Sequence, residues 1–233
     1  MLNLRQNNGN PRDQATLRMR AARKHLGNCR QCNLCSGRKK IVFGAGNPVA
    51  PILVVGGAPG YYEDKEGLPL AGKAGQIFQE AVSRVGLSVK RDIFATNIVK
   101  CRPPRRSDDS GQTLPVLDEH LDSCKPYLDW QMDIVKPAII VLHGKRANQG
   151  MLGDQRSLSQ YAGHWRIFGD KCIALSTHNP AGFFGDRANL MYEYFNHWEE
   201  LALRLNLLGR LWRPDAEAFA SGWTYSKGDL DVN

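Results

Sequence analysis

Four apolar runs constrain this chain more than any other feature: ILVVGG at 52–57, DIFATNIVKC at 92–101, AIIVLHG at 138–144 and KCIALSTH at 171–178. Each is short, mostly apolar, and gives way to small or polar residues. Runs of this kind make strands covered on both faces. IVFG at 41–44 is a further short run fit for a strand, and WRIFG with KCIALSTH reads as a hairpin through Gly169 and Asp170. In AGQIFQEAVSRVGL, Ile77, Phe78, Ala81, Val82 and Val85 recur at helical spacing. Further helices are expected from about residue 116 to 135 and from 187 to 205. A short basic helix lies over DQATLRMRAARKHL, with Asp13 as its cap and Gly27 as its stop. Strands alternating with helices predict a three-layer α/β/α domain on a mostly parallel, four-stranded sheet. The expected division is a basic segment at 1–26, a domain at 27–206 and an extension at 207–233.

In such a sheet ligands bind beyond the carboxyl ends of the strands. The candidate loops are GGAPG, the segment after NIVKC, HGKRA and HNPAGFF. GGAPG lacks G-K-[ST], and no helix is expected directly after it, so it fits neither a Walker motif nor a dinucleotide fingerprint. It reads as a tight turn in which Gly57 and Gly60 supply torsions, or as backbone pressed against a planar ligand or a sugar phosphate. Asn97 must satisfy both atoms of a buried amide, either by bridging backbone groups or by matching the edge of a pyrimidine. His178 and Asn179, before Pro180, can each donate to a developing anion, and a strand-end histidine can equally be structural. Lys100, Arg102, Arg105 and Arg106 form one basic loop, and Lys145 and Arg146 another; both suit phosphate contact.

The chain has 233 residues and a net charge of +8, which favours an anionic partner, nucleic acid ahead of acidic lipid. No apolar run is long enough to span a bilayer and the first residues lack a secretory signal, so a cytosolic protein is expected. Its six cysteines then ask for a metal before disulfides. Cys29, Cys32 and Cys35 form C-x2-C-x2-C, with Cys101 and Cys124 downstream and Cys172 in an apolar strand. Four thiolates suit zinc or a four-iron cluster, and five cysteines compete for those places.

Taken in order, these segments resemble the family 4, iron-sulfur uracil-DNA glycosylases. The resemblance is carried by CRQCNL at 29–34, VFGAGNP at 42–48, GGAPGYYEDKEGLPLAGKAGQIF at 56–78, TNIVKCRPP at 96–104, CKPYL at 124–128 and THNPAGFF at 177–184. It covers roughly residues 29 to 200. It implies a [4Fe-4S] cluster on Cys29, Cys32, Cys101 and Cys124, and hydrolysis of the N-glycosidic bond of a uracil flipped out of DNA. It also implies that Asn97 reads the uracil edge and that His178 or Asn179 stabilises the leaving anion. Gly57, Ala58, Pro59, Gly60 and Leu70 would line the base pocket, with a minor polar role for Asp64. The expected enzyme is a monomer on single- or double-stranded DNA, with a replication or repair protein as a further partner.

Three positions depart from the family pattern. Gly57 stands where it has an acid, Leu70 where it has phenylalanine, and Asn179, aligned on Pro180, where it has histidine. These changes raise an alternative, a DNA-binding subunit of the same fold whose pocket has decayed, such as a polymerase partner. A zinc-bound structural module is a third reading, and it predicts a colourless protein.

Overall fold

Six strands, rather than four, form one mixed sheet in the order β1-β3-β2-β4-β6-β5. The computed structural model describes residues 10–105, 113–169, 172–183 and 189–211, with side chains up to 207. The expected parallel core is present: β2 (Ile52–Gly56), β3 (Ile93–Asn97), β4 (Ile139–His143) and β6 (Cys172–Thr177) pair in parallel. Two antiparallel edges complete the sheet, β1 (Ala45–Gly46) on β3 and β5 (Trp165–Phe168) on β6. β5 and β6 form the predicted hairpin; Asp170 of its turn lies outside the described residues. IVFG is not a strand. Val42 donates its backbone N–H to Lys100 O at 2.8 Å, and pairing with β3 begins only at Ala45.

The period-two alternation of the strands sorts the core into two halves. Val54, Ala95, Val141 and Leu175 face α3 (Lys73–Arg84) and α7 (Leu190–Leu211), where Phe78 and Trp198 are buried. Leu53, Val55, Phe94 and Leu142 face α5 (Asp118–Val135) and α6 (Gly144–Leu152). Each large apolar side chain buried this way contributes about 1.5–3 kcal/mol, so the three layers follow from the strand pattern. α1 (Pro11–Leu26) sets Ala15, Ala22 and Leu26 against Tyr127 and Ile134 of α5, which fastens the basic helix to the domain.

Helix ends differ from expectation where local chemistry decides them. α1 is capped by Asn10, whose Oδ1 accepts the Arg12 N–H at 3.1 Å; Asp13 falls in its first turn. Pro11 suits the first helical position because no hydrogen bond is lost there. α2 (Tyr61–Glu66) begins directly after GGAPG, against the reading that no helix follows at once. α2, α4 (Val89–Asp92) and α6 are too short to register as periodic patterns.

β2 leads to β3 on one side, while β4 leads to β6 on the other. The gap between β2 and β4 is therefore the point where the winding reverses. Open α/β sheets bind ligands at that place.

Candidate active site

The residues at which the apolar runs stop stand in one row at the carboxyl edge of the sheet. Gly56 is in register with Asn97, His143 is in register with Thr177, and β2 pairs with β4 through Val55 and Leu142. Gly56 thus lies between Asn97 and His143, and alternation turns all three toward the α3/α7 face. A Cβ on Gly56 would collide with Asn97 Oδ1, so only glycine lets the Asn97 amide lie across this strand end. A slot of about 90 Å³ is lined by Asn97, Gly56, Glu63, Leu70, His143 and Asn179, with Ala58 and Gly60 at its rim. That is far below the ~300 Å³ at which sites for drug-sized ligands begin. One small ring can enter.

Glu63 organises the slot, and the sequence reading missed it. Its Oε2 accepts the Gly60 N–H at 2.6 Å, and its Oε1 accepts the Leu70 N–H at 2.8 Å and, at a longer 3.4 Å, Asn97 Nδ2. Burial pushes this carboxyl above the usual range, and the three donors pull it back. Leu70, whose side chain lines the slot, sits at φ 57. A left-handed backbone costs a residue with a Cβ about 1–2 kcal/mol, and the Glu63 bond holds it there. The available signal was an acid three residues after the turn glycine, the spacing of a reciprocal helix cap.

Other predicted pocket residues sit apart from the slot. Gly57 lines an adjoining outer cavity of about 400 Å³ that shares Ala58, His143, Asn179 and Ala181 with it. A Cβ at Gly57 would stand 2.7 Å from Arg146 Cβ, so the first turn of α6 occupies the space of the missing acid. Pro59 faces a groove on the far side of the GGAPG turn. Asp64 does not line the slot. It is buried and accepts the Lys39 N–H at 2.8 Å and the Lys40 N–H at 3.4 Å, which pins that segment to α2.

His178 faces the outer cavity rather than the slot. Its Nε2 meets Glu193 Oε2 at 2.8 Å, and its ring stacks on His197 at 5.8 Å. Burial, then the neighbouring His178, lowers the pKa of His197 to about 4, so that ring stays neutral. Asn179 lines both cavities and caps the turn Pro180–Gly182, its Oδ1 accepting the Ala181 N–H at 3.0 Å. Its Nδ2 is left as the donor. Sequence reasoning also passed over His143, although it ends an apolar run just as Asn97 does.

The basic residues divide. Lys100, expected on a surface loop, is fully buried: its Nζ donates to Asn97 O at 2.6 Å, Thr96 Oγ1 at 2.7 Å and Gln131 Oε1 at 2.7 Å. It cannot touch a phosphate. Burial lowers its pKa to about 7. Arg102, Arg105 and Arg146 share a groove with Tyr61, whose ring lies 5.3 Å below Arg102, while Lys145 and Arg146 line the outer cavity. Arg106 lies outside the described residues.

The thiols gather. Cys101 and Cys124 are buried in one apolar cluster with Leu34, Cys32 packs against them, and Cys29 packs beside Leu26 and Tyr127. Burial pushes the Cys101 thiol up to about 11, against the pull of Arg38, whose Nη1 donates to its sulfur at 3.5 Å. Burial likewise raises the Cys124 thiol, with Cys32 and Cys29 close enough to add to the rise. Cys35 is not part of that cluster, and Cys172 lies in β6, its thiol donating to Phe168 O at 3.1 Å. Among the described residues, no three His, Cys, Asp or Glu side chains close on one point as they would around a single metal ion.

Residues 43–202 match the family model described as the Uracil DNA glycosylase superfamily. The chain is 36% identical over 185 residues to the Type-4 uracil-DNA glycosylase of Sulfurisphaera tokodaii, covering 75% of this chain and 80% of the relative. It is 37% identical over 161 residues to the Type-4 uracil-DNA glycosylase of Saccharolobus solfataricus, covering 66% and 71%. The protein of that name from Pyrobaculum aerophilum is 37% identical over 166 residues, covering 66% and 78%.

Proposed function

The chain belongs to the uracil-DNA glycosylase superfamily, and on that footing we propose that it hydrolyses the N-glycosidic bond of uracil extruded from DNA, leaving an abasic site. The observation that carries this reading is the row Asn97-Gly56-His143 with its ring-sized slot. Glu63 accepts from Asn97 Nδ2, so the amide turns Oδ1 and its second N–H toward the slot. That pattern accepts the N3–H of uracil and donates to its O4. Cytosine, which has an acceptor at N3 and an amine at C4, is mismatched at both.

Cleavage moves the C1′–N1 bonding pair onto the base, and a water supplies the oxygen at C1′. A slot that excludes solvent and presents N–H donors favours that separation of charge. Asn179 Nδ2 is one such donor, at the slot's edge. Leu70 packs on the base where an aromatic ring would stack. On either side of the mouth, Arg102, Arg105, Lys145 and Arg146 meet the phosphates. The alternative of a DNA-binding subunit with a decayed pocket is not favoured, because the slot keeps its reader and its clasp.

Cys29, Cys32, Cys101 and Cys124 are the residues that would hold a [4Fe-4S] cluster. Cys101 and Cys124 share one apolar cluster with Cys32 packed against it, Cys29 packs on the neighbouring cluster, and four thiolates are the donor set of a four-iron centre. These residues would then tie the 29–32 segment to the end of β3 and to α5, a structural role with no bond-making step. Among the described residues no helix is long and apolar enough to cross a membrane.

The decisive experiment is uracil release from single- and double-stranded oligonucleotides by the purified protein, read as strand breaks at abasic sites. Release above a buffer control supports the proposal; salt-sensitive DNA binding without release overturns it. Gly56→Ala sharpens the test. Its methyl would displace the Asn97 amide, so we expect uracil release to fall by about 100-fold with DNA affinity unchanged in a gel-shift titration.

A further inference from the structure

The geometry points to His143 as a catalytic residue, a neutral N–H donor that faces Asn97 across the slot and stabilises the departing uracil anion. The inference rests on the glycosylase reading and assigns a role that His178, two residues before Pro180, does not fill here. Two strand spacings, roughly 9–10 Å, separate the backbones of Asn97 and His143, with Gly56 between them contributing no side chain. A pyrimidine ring in the slot therefore has Asn97 on one side and His143 on the other. His143 lines both the slot and the outer cavity, whereas His178 reaches only the outer cavity and has Nε2 committed to Glu193.

The surroundings of the His143 ring bear on which nitrogen carries its proton. Among the described residues, its one side-chain hydrogen bond joins Nε2 to the Tyr194 hydroxyl at 3.2 Å. Tyr194 is fully buried, which holds its phenol in the protonated form, so it can donate to Nε2. With Tyr194 as that donor, the proton of a neutral imidazole resides on Nδ1, which has no hydrogen-bond partner among the described residues. Burial lowers the His143 pKa to about 3, and the ring stays uncharged. Phe78 and Tyr194 meet it edge-on at 5.9 and 5.6 Å and restrict its rotation.

In the step proposed, the C1′–N1 pair departs with the base and its charge spreads onto the exocyclic oxygens. Nδ1–H donates a hydrogen bond to that charge and keeps its proton. Water adds its oxygen at C1′ and loses a proton to solvent, and the released anion takes a proton from solvent. No oxidant or further reactant enters. A donor aimed at charge that grows during reaction acts mainly on the chemical step.

The test compares single-turnover release of uracil and of 5-fluorouracil from otherwise identical DNA by the parent protein and by His143→Leu. The fluorinated anion is intrinsically more stable and needs less help. We expect losses of about 100- to 1,000-fold for uracil and under about 10-fold for 5-fluorouracil. Equal losses on the two substrates, or none on either, overturn the assignment while leaving the glycosylase reading intact. A parent protein that releases neither base overturns both. Should His143→Leu fail to fold, nitrogen-15 NMR of the parent decides, with the His143 signals assigned against His143→Gln. The expected result is a proton on Nδ1 at neutral pH whose resonance moves when free uracil is added; a proton on Nε2 overturns the inference.

Discussion

Asn97→Ala is expected to lower single-turnover uracil release by about 100- to 1,000-fold, the usual cost of removing one preorganised hydrogen-bonding group from a reacting centre. The fold should tolerate the change. The Asn97 side chain borders a cavity, its carboxylate partner Glu63 keeps the Gly60 and Leu70 N–H groups, and the Asn97 carbonyl still accepts from Lys100. Thermal melting within a few degrees of the parent, together with the kinetic loss, is the outcome that places Asn97 at the base. A variant that keeps its rate to within about 10-fold would show that the base is read elsewhere.

Replacing either buried thiol, as in Cys101→Ser or Cys124→Ser, is expected to have the largest effect on stability. Loss of one ligand should empty the site, and binding energy at a structural metal site is folding energy. For a chain of this size a loss of several kcal/mol corresponds to a fall in melting midpoint on the order of 10 °C. Iron, acid-labile sulfide and broad visible absorption should disappear together. Cys35→Ser should retain all three. Zinc in place of iron in the purified parent, or iron surviving in Cys124→Ser, would sink the proposed ligand set.

The two results are linked through Lys100. Lys100 directly precedes Cys101 of the buried thiol cluster while its Nζ holds the Asn97 carbonyl, so one stretch of chain joins the thiols to Asn97. Sequence reasoning placed this lysine among the phosphate contacts because a Lys-Cys-Arg-Pro-Pro-Arg run looks like a basic loop. Burial depends on which groups surround a residue in space, and Thr96 and Gln131, one near in sequence and one distant, provide the oxygens that make an interior ammonium tolerable.

Gly57 teaches the converse. Against a family pattern it reads as a lost acid, yet the space that acid would need is filled by Arg146 Cβ from α6, a helix too short to be seen in the sequence. Glu63, six residues further on, holds the slot together through bonds to Gly60, Leu70 and Asn97. A helix-cap spacing hinted at the first contact. The other two depend on the left-handed turn at Leu70 and on the register of β2 with β3.

The order of apolar runs determined the layered α/β architecture, because a strand apolar on both faces must be covered on both. Cysteine spacing and the ordered motifs likewise sufficed for the superfamily. The short antiparallel edges, the burial of Lys100, the outward place of His178 and the pairing of His143 with Tyr194 were decided only by the tertiary structure. These depend on strand register and on side chains tens of residues apart, and no local pattern encodes which of two strand-end histidines is turned toward the slot.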